Sequence, residues 1–116
     1  MLIKNVKIIG ENEITDGFVR TANGKITDVG KTAREAENEE VIDGNGKYLS
    51  PGFIDLHVHG GGGYSAMGTP EDIVKMATAH MNYGTTSILP TTLAAPIAQL
   101  KTALLNIKEA KRICKT

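Results

Sequence analysis

The sequence is short of most features that mark specialised proteins. It has one cysteine, Cys114, so no internal disulfide can form, and the place of that thiol on a helical pattern reads as packing. Tryptophan is absent, and three tyrosines and two phenylalanines leave the chain slightly poor in aromatics. Acids and bases balance at 13 each, which gives no reason to expect a nucleic-acid or polyanion partner. No apolar run approaches the roughly 18 residues needed to cross a bilayer, so no membrane association is expected. The first residues lack a basic stretch followed by a long apolar one, so no signal peptide is expected either and the cytoplasm is the default location.

What remains is an ordinary globular composition: 116 residues, 41% hydrophobic and 22% charged, enough for one modest domain with a core. The charges are uneven. Residues 11–43 hold nine acids and four bases, and residues 101–116 hold five bases and one acid. A solvated face and a basic helix end account for both.

In chain order, residues 2–9 read as a β-branched strand. A second strand runs from Gly17 to Arg20, and Asn23-Gly24 signals a two-residue hairpin into Lys25–Val29. Residues 31–40 are polar and read as an exposed loop. Val41–Asp43 and Lys47–Leu49 are short strands around a Gly44-Asn45-Gly46 turn. Residues 1–50 thus form a small all-β unit with little core of its own.

The pattern changes at Pro51. Phe53 to His59 reads as a strand that leaves a Pro-Gly turn and runs into Gly60, Gly61, Gly62 and Gly63. Alternation puts Phe53, Asp55, His57 and His59 on one side, and Ile54, Leu56 and Val58 on the other, where a helix layer is expected to cover them. Two imidazoles at i and i+2 can converge on one metal ion at about 2.0–2.1 Å each. The plainer alternative is a buried strand with two incidental histidines. No Lys-Ser/Thr pair follows the glycines, so they are not a P-loop and read as a flexible loop beside the site. Thr69-Pro70-Glu71-Asp72 opens a helix with a capping box, and Gly84 ends it. His80 lies on that helix's apolar stripe and reads as packing or partial exposure rather than as a ligand. Thr85–Pro90 is a second strand, with Thr91 and Thr92 at its C-terminal end, where they either line a mouth or merely turn the chain. A second helix starts near Pro96 with Ile97, Leu100, Leu104, Ile107 and Cys114 as its stripe. Strand, helix, strand, helix implies parallel βα units. Two units cannot close a barrel, so the chain is expected to be the N-terminal piece of a longer protein.

Pro51-Gly52-Phe53-Ile54-Asp55-Leu56-His57-Val58-His59 resembles the first barrel strand of the amidohydrolase superfamily. The glycine run with Tyr64, together with Gly84-Thr85-Thr86-Ser87-Ile88-Leu89-Pro90-Thr91-Thr92-Leu93, resembles the N-acetylglucosamine-6-phosphate deacetylase family across essentially the whole chain. The resemblance implies a β-sandwich portion over 1–50 and the start of a (β/α)8 barrel over 51–116. It implies metal-dependent release of acetate from an amino-sugar phosphate, with one or two divalent ions, zinc or iron. His57 and His59 match the family's first-strand ligands, and Asp55 matches an aspartate expected to orient them from behind. The family's remaining ligands, its catalytic aspartate and the groups that hold the phosphate have no match in this segment, so no catalytic residue is assigned. The alternatives are another amidohydrolase, acting on a cyclic amide or as a deaminase, and a non-catalytic remnant. The free edge of the second strand makes a homo-oligomer the expected state.

Overall fold

The computed structural model describes residues 1–114; Lys115 and Thr116, the last two residues of the expected barrel segment, lie outside the described residues. The chain divides into two compact units, one from Met1 to Pro51 and one beginning at Gly52.

The first unit is a five-stranded sheet around β1 (Leu2–Ile9). On one side β1 pairs antiparallel with β2 (Ile14–Ala22), which pairs antiparallel with β3 (Lys25–Gly30). The β2–β3 hairpin turns on Asn23 and Gly24, both at positive φ (51° and 71°), the backbone that a two-residue turn needs to match strand twist. On its other side β1 carries two short parallel strands in succession, β4 (Val41–Asp43) and β5 (Tyr48–Leu49). Between them the chain bulges around Asn5, whose Nδ2 donates to Asp43 Oδ2 at 2.8 Å. The Asn45 N–H also donates to Asp43 (2.9 Å), and these two donors, the backbone one first, hold the Asp43 carboxyl below the usual carboxylate range. Leu2, Val6, Phe18 and Val19 are the unit's buried hydrophobics, while Ile14, Ile26 and Val29 stay exposed.

Residues 31–40 are more than a solvated loop. The Arg20 guanidinium forks onto both Glu39 carboxylate oxygens (2.8 and 3.1 Å) and donates to the Arg34 carbonyl at 2.7 Å. Lys4 pairs with Glu35. Arg20 beside Glu39 holds that carboxyl below its ordinary range. The forked geometry is that of a bidentate Arg–carboxylate pair, which fixes direction as well as distance.

The second unit begins with β6 (Phe53–Val58), followed by β7 (Gly60–Gly61), β8 (Tyr64–Ser65), α1 (Pro70–Met81), β9 (Thr85–Pro90) and α2 (Ile97–Ile113). β6 and β9 pair in parallel, with α1 as the crossover between them. Thr69 caps α1, accepting from the Asp72 N–H, while the Asp72 carboxylate accepts from the Thr69 N–H, each at 3.2 Å. The helix closes at Asn82, and Gly84, at φ 92°, turns the chain into β9. Val58, Ala66, Ile73, Met76 and Ala110 form the core, with Val74, Ile88 and Ile107 partly buried against it. Among the described residues no helix is long and apolar enough to cross a membrane.

Two expectations fail in this unit. Ile54 and Leu56 are 67% and 68% exposed, so of the three apolar residues on that strand face only Val58 is covered. The physical reason is placement: α1 packs on β7, β8, β9 and α2, at the end of β6 where Val58 lies. In α2, Ile97 and Leu104 are exposed, and the covered positions are Ala103 and Ala110. Where two helices approach closely the small side chains are the ones enclosed, and Asn106 between them donates to the Gly68 carbonyl at 2.9 Å. Cys114, half-buried, caps α2 through its N–H on the Ala110 carbonyl (2.8 Å).

Candidate metal centre at the end of β6

His57 and His59 lie at the C-terminal end of β6, separated by the buried Val58. Their alternation on the strand brings the two rings together, edge to face with centroids 4.8 Å apart, and both are exposed. The Nε2 atoms face each other at 3.1 Å. Two nitrogens each about 2.0–2.1 Å from one tetrahedral ion stand about 3.3–3.4 Å apart, and about 2.8–3.0 Å apart on an octahedral one. The observed 3.1 Å falls between the two spacings, close to each, so small ring rotations would let both nitrogens reach one ion.

The tautomer supports that use. His59 Nδ1 lies 2.9 Å from the Thr91 carbonyl oxygen, which only accepts, so Nδ1 carries the hydrogen and Nε2 presents its lone pair to His57. A ring nitrogen tied back to a carbonyl is the usual way to aim the other nitrogen of a ligating histidine. At this separation the His59 lone pair meets either an N–H of His57 or a cation that both rings share. Asp55 is half-buried and accepts the His57 N–H at 3.1 Å, so it braces the strand backbone and makes no hydrogen bond to either ring.

Thr91 reaches the pair through its backbone. Its N–H donates to the Val58 carbonyl at 2.7 Å, its carbonyl holds His59, and its hydroxyl turns away to the Leu89 carbonyl. Among the described residues no hydrogen bond links Thr92 to the pair. No third histidine, cysteine or carboxylate joins His57 and His59 among the described residues.

The glycine run is a built hairpin. Gly60 and Gly61 pair with Ser65 and Tyr64, and the two residues between, Gly62 and Gly63, have φ of 60° and 85°. That is a two-residue turn with both central residues in the left-handed region, open to glycine at no steric cost. Lys75 on α1 sits 5.0 Å from the centre of the Tyr64 ring, and His80 Nε2 lies 3.1 Å from the Gly60 carbonyl oxygen. Sequence reasoning placed His80 in packing or partial exposure, and it is half-buried, but the contact was missed, since nothing in the local pattern names a partner 20 residues away. A groove of about 500 Å3 elsewhere, lined in part by Lys4, Asp16, Lys31 and Glu35, belongs to the first unit and contains no histidine.

Comparison with known proteins narrows the reading. No protein-family model matches the chain. The N-acetylglucosamine-6-phosphate deacetylase of Bacillus subtilis (strain 168) is 34% identical over 114 residues, covering 96% of this chain and 29% of that protein. A crystal structure of the Pasteurella multocida N-acetylglucosamine-6-phosphate deacetylase superposes with a TM-score of 0.80 at 30% identity, over 99% of this chain and 31% of that one. The chain belongs to the N-acetylglucosamine-6-phosphate deacetylase family. A second deacetylase, the N-acetylgalactosamine-6-phosphate enzyme of Escherichia coli O157:H7, is 34% identical over 100 residues, 85% of this chain and 25% of that protein. The chain thus spans about three tenths, or less, of the length of the deacetylases it matches.

Proposed function

We propose that the chain is the N-terminal portion of a metal-dependent amidohydrolase that removes the acetyl group from N-acetylglucosamine 6-phosphate, giving glucosamine 6-phosphate and acetate. The observation that carries the proposal is the facing pair of Nε2 atoms, 3.1 Å apart, in a chain of the deacetylase family. In this reading residues 1–50 are part of a small β-sandwich and residues 51–116 begin a (β/α)8 barrel. β6-α1 and β9-α2 are then its first two units, and the histidines stand at the C-terminal end of a barrel strand, the end where such sites are built.

A divalent ion, zinc or iron, held by His57 and His59 would supply Lewis-acid chemistry, polarising the amide carbonyl and lowering the pKa of a nearby water. The residues of this chain hold and aim. His57 and His59 supply two imidazole nitrogens, the Thr91 carbonyl sets the His59 tautomer, and Asp55 steadies the His57 peptide. The Gly60–Gly63 hairpin follows the pair and the Thr91-Thr92 segment borders it, and in this reading both line the substrate's approach. A proton-transferring group and the phosphate-holding groups are not assigned within residues 1–116. Self-association belongs to the same proposal: Ile54, Leu56 and Leu89 are more than half exposed on a two-stranded sheet, and both its outer edges are unpaired among the described residues.

Two ligands are fewer than the three that catalytic zinc sites retain, so calorimetric titration of the chain with zinc should show weak binding that disappears in the His57→Ala/His59→Ala double variant. Binding unchanged in the double variant would place the metal elsewhere and refute the proposal. The chain alone should release no acetate from N-acetylglucosamine 6-phosphate, and the whole gene product should release it only with both histidines intact.

A further inference from the structure

We propose that His80 is a positioning residue for the histidine pair: its Nε2–H holds the Gly60 carbonyl and thereby anchors the Gly60–Gly61 peptide, the link next after the one that carries the His59 carbonyl. The inference rests on the reading of His57 and His59 as metal ligands given above.

The contact is 3.1 Å, and a carbonyl oxygen only accepts, so His80 Nε2 carries the hydrogen. The fit around it is close. A Cβ built on Gly61 would lie 2.4 Å from His80 Nε2, and one built on Gly62 would lie 2.7 Å from the Ala79 Cβ. The hairpin backbone therefore rests close on the last turn of α1: a side chain at Gly62 would meet the Ala79 Cβ, and one at Gly61 would displace the His80 ring. This gives the glycine run a purpose other than looseness or phosphate binding: it lets a helix side chain reach the backbone next to His59.

Three elements then converge on His59 and its neighbour. β9 holds the imidazole through the Thr91 carbonyl (2.9 Å). The residue after β8, Ala66, holds the His59 carbonyl through its N–H (2.8 Å). α1 holds the next carbonyl through His80. The Ala66 N–H thus holds the His59–Gly60 peptide, and His80 holds the following one, Gly60–Gly61, from the helix side.

Gly60 is exposed, so water can replace the lost donor when His80 is removed. The expected consequence is a looser ligand set with little change in folding. Zinc affinity should fall about tenfold in His80→Ala, the lower end of what partners behind metal ligands contribute. His80→Gln, whose amide N–H can donate to the same carbonyl, should recover most of the loss. A purely structural role would show the opposite pattern, with lowered thermal stability and no preference for a donor.

The test is zinc titration of the 116-residue chain beside His80→Ala, His80→Gln and His57→Ala/His59→Ala, with circular dichroism to confirm helix content. A second readout needs no metal: the nitrogen NMR shifts of His59 should report the Nδ1–H tautomer in the parent and in His80→Gln, and a mixture in His80→Ala. Wild-type zinc affinity in His80→Ala, beside a double variant that has lost binding, overturns the positioning role and leaves the metal reading intact. Equal binding by the parent and the double variant overturns the metal reading, and the His59 tautomer then decides for His80. An unchanged tautomer in His80→Ala, or failure of His80→Gln to recover, also overturns the positioning role. Should His80→Ala fail to fold, the glutamine variant and its tautomer still decide.

Discussion

Replacing Met76 with alanine probes how the small core of the second unit supports the histidine pair. Met76 is fully enclosed, at 0% exposure, in a cluster whose other members are Val58, Ala66, Ile73 and Ala110. Two of those five are alanines, so Met76 and Ile73 contribute most of the cluster's side-chain bulk. Fully burying a methionine is worth about 1.5–3 kcal/mol, and the cavity left by truncation adds to the loss, for a total of about 2–5 kcal/mol. Single domains have only about 5–15 kcal/mol in hand, and one with so few buried side chains belongs at the low end. The variant should therefore lose half or more of this unit's stability. The assay is urea unfolding followed by far-UV circular dichroism, whose helical signal reports this unit because both helices lie in it. Met76→Leu keeps the volume and should cost less than about 1.5 kcal/mol. Val58, between His57 and His59, belongs to the same cluster, so on the proposed metal reading zinc affinity should fall with Met76→Ala as well. A loss under about 1 kcal/mol, or equal losses for alanine and leucine, would refute the reasoning: the cluster would then not be what holds the unit together.

In the first unit, Glu39 beside Arg20 and Asp43 beside the Asn45 N–H and the Asn5 amide are both held below the usual carboxylate range. A lowered folded-state pKa contributes stability that is complete above that range and fades as pH falls through the lowered values. Urea midpoints of this unit, followed by NMR of β1 and β2 amides, should fall on acidification below that range. Glu39→Gln should flatten that dependence, and an unchanged slope would remove the Arg20–Glu39 pair from the account. Self-association through the β6–β9 sheet is tested with Leu89→Lys, since Leu89 is 57% exposed whereas Ile88 packs against the core. Sedimentation equilibrium should show the parent associated and the variant shifted toward monomer. A parent that is monomeric at high micromolar concentration would end that part of the proposal.

Much of this protein was legible from sequence where the determinant is local. Asn23-Gly24 forms its turn because those residue types tolerate positive φ at little cost. Thr69 and Asp72 cap α1 because both hydrogen bonds close within three residues. His57 and His59 share a face because a strand repeats every two residues, so their convergence follows from spacing alone. Family membership was legible for the same reason, since the short runs that carry it are contiguous.

The tertiary structure decided what spacing cannot: which partner each polar group finds and which apolar faces are covered. The His59 imidazole is aimed by a carbonyl 32 residues away, and Gly60 is held by a histidine 20 residues away. In the sequence His80 sits on an apolar stripe, which predicts only its direction, inward. Leu104 reads as core and is exposed, while Ala103 and Ala110, outside the expected stripe, are enclosed. Periodicity fixes the angle of a side chain about its own helix axis. Burial depends on what stands opposite, and only the packed arrangement of α1, α2 and β9 supplies that.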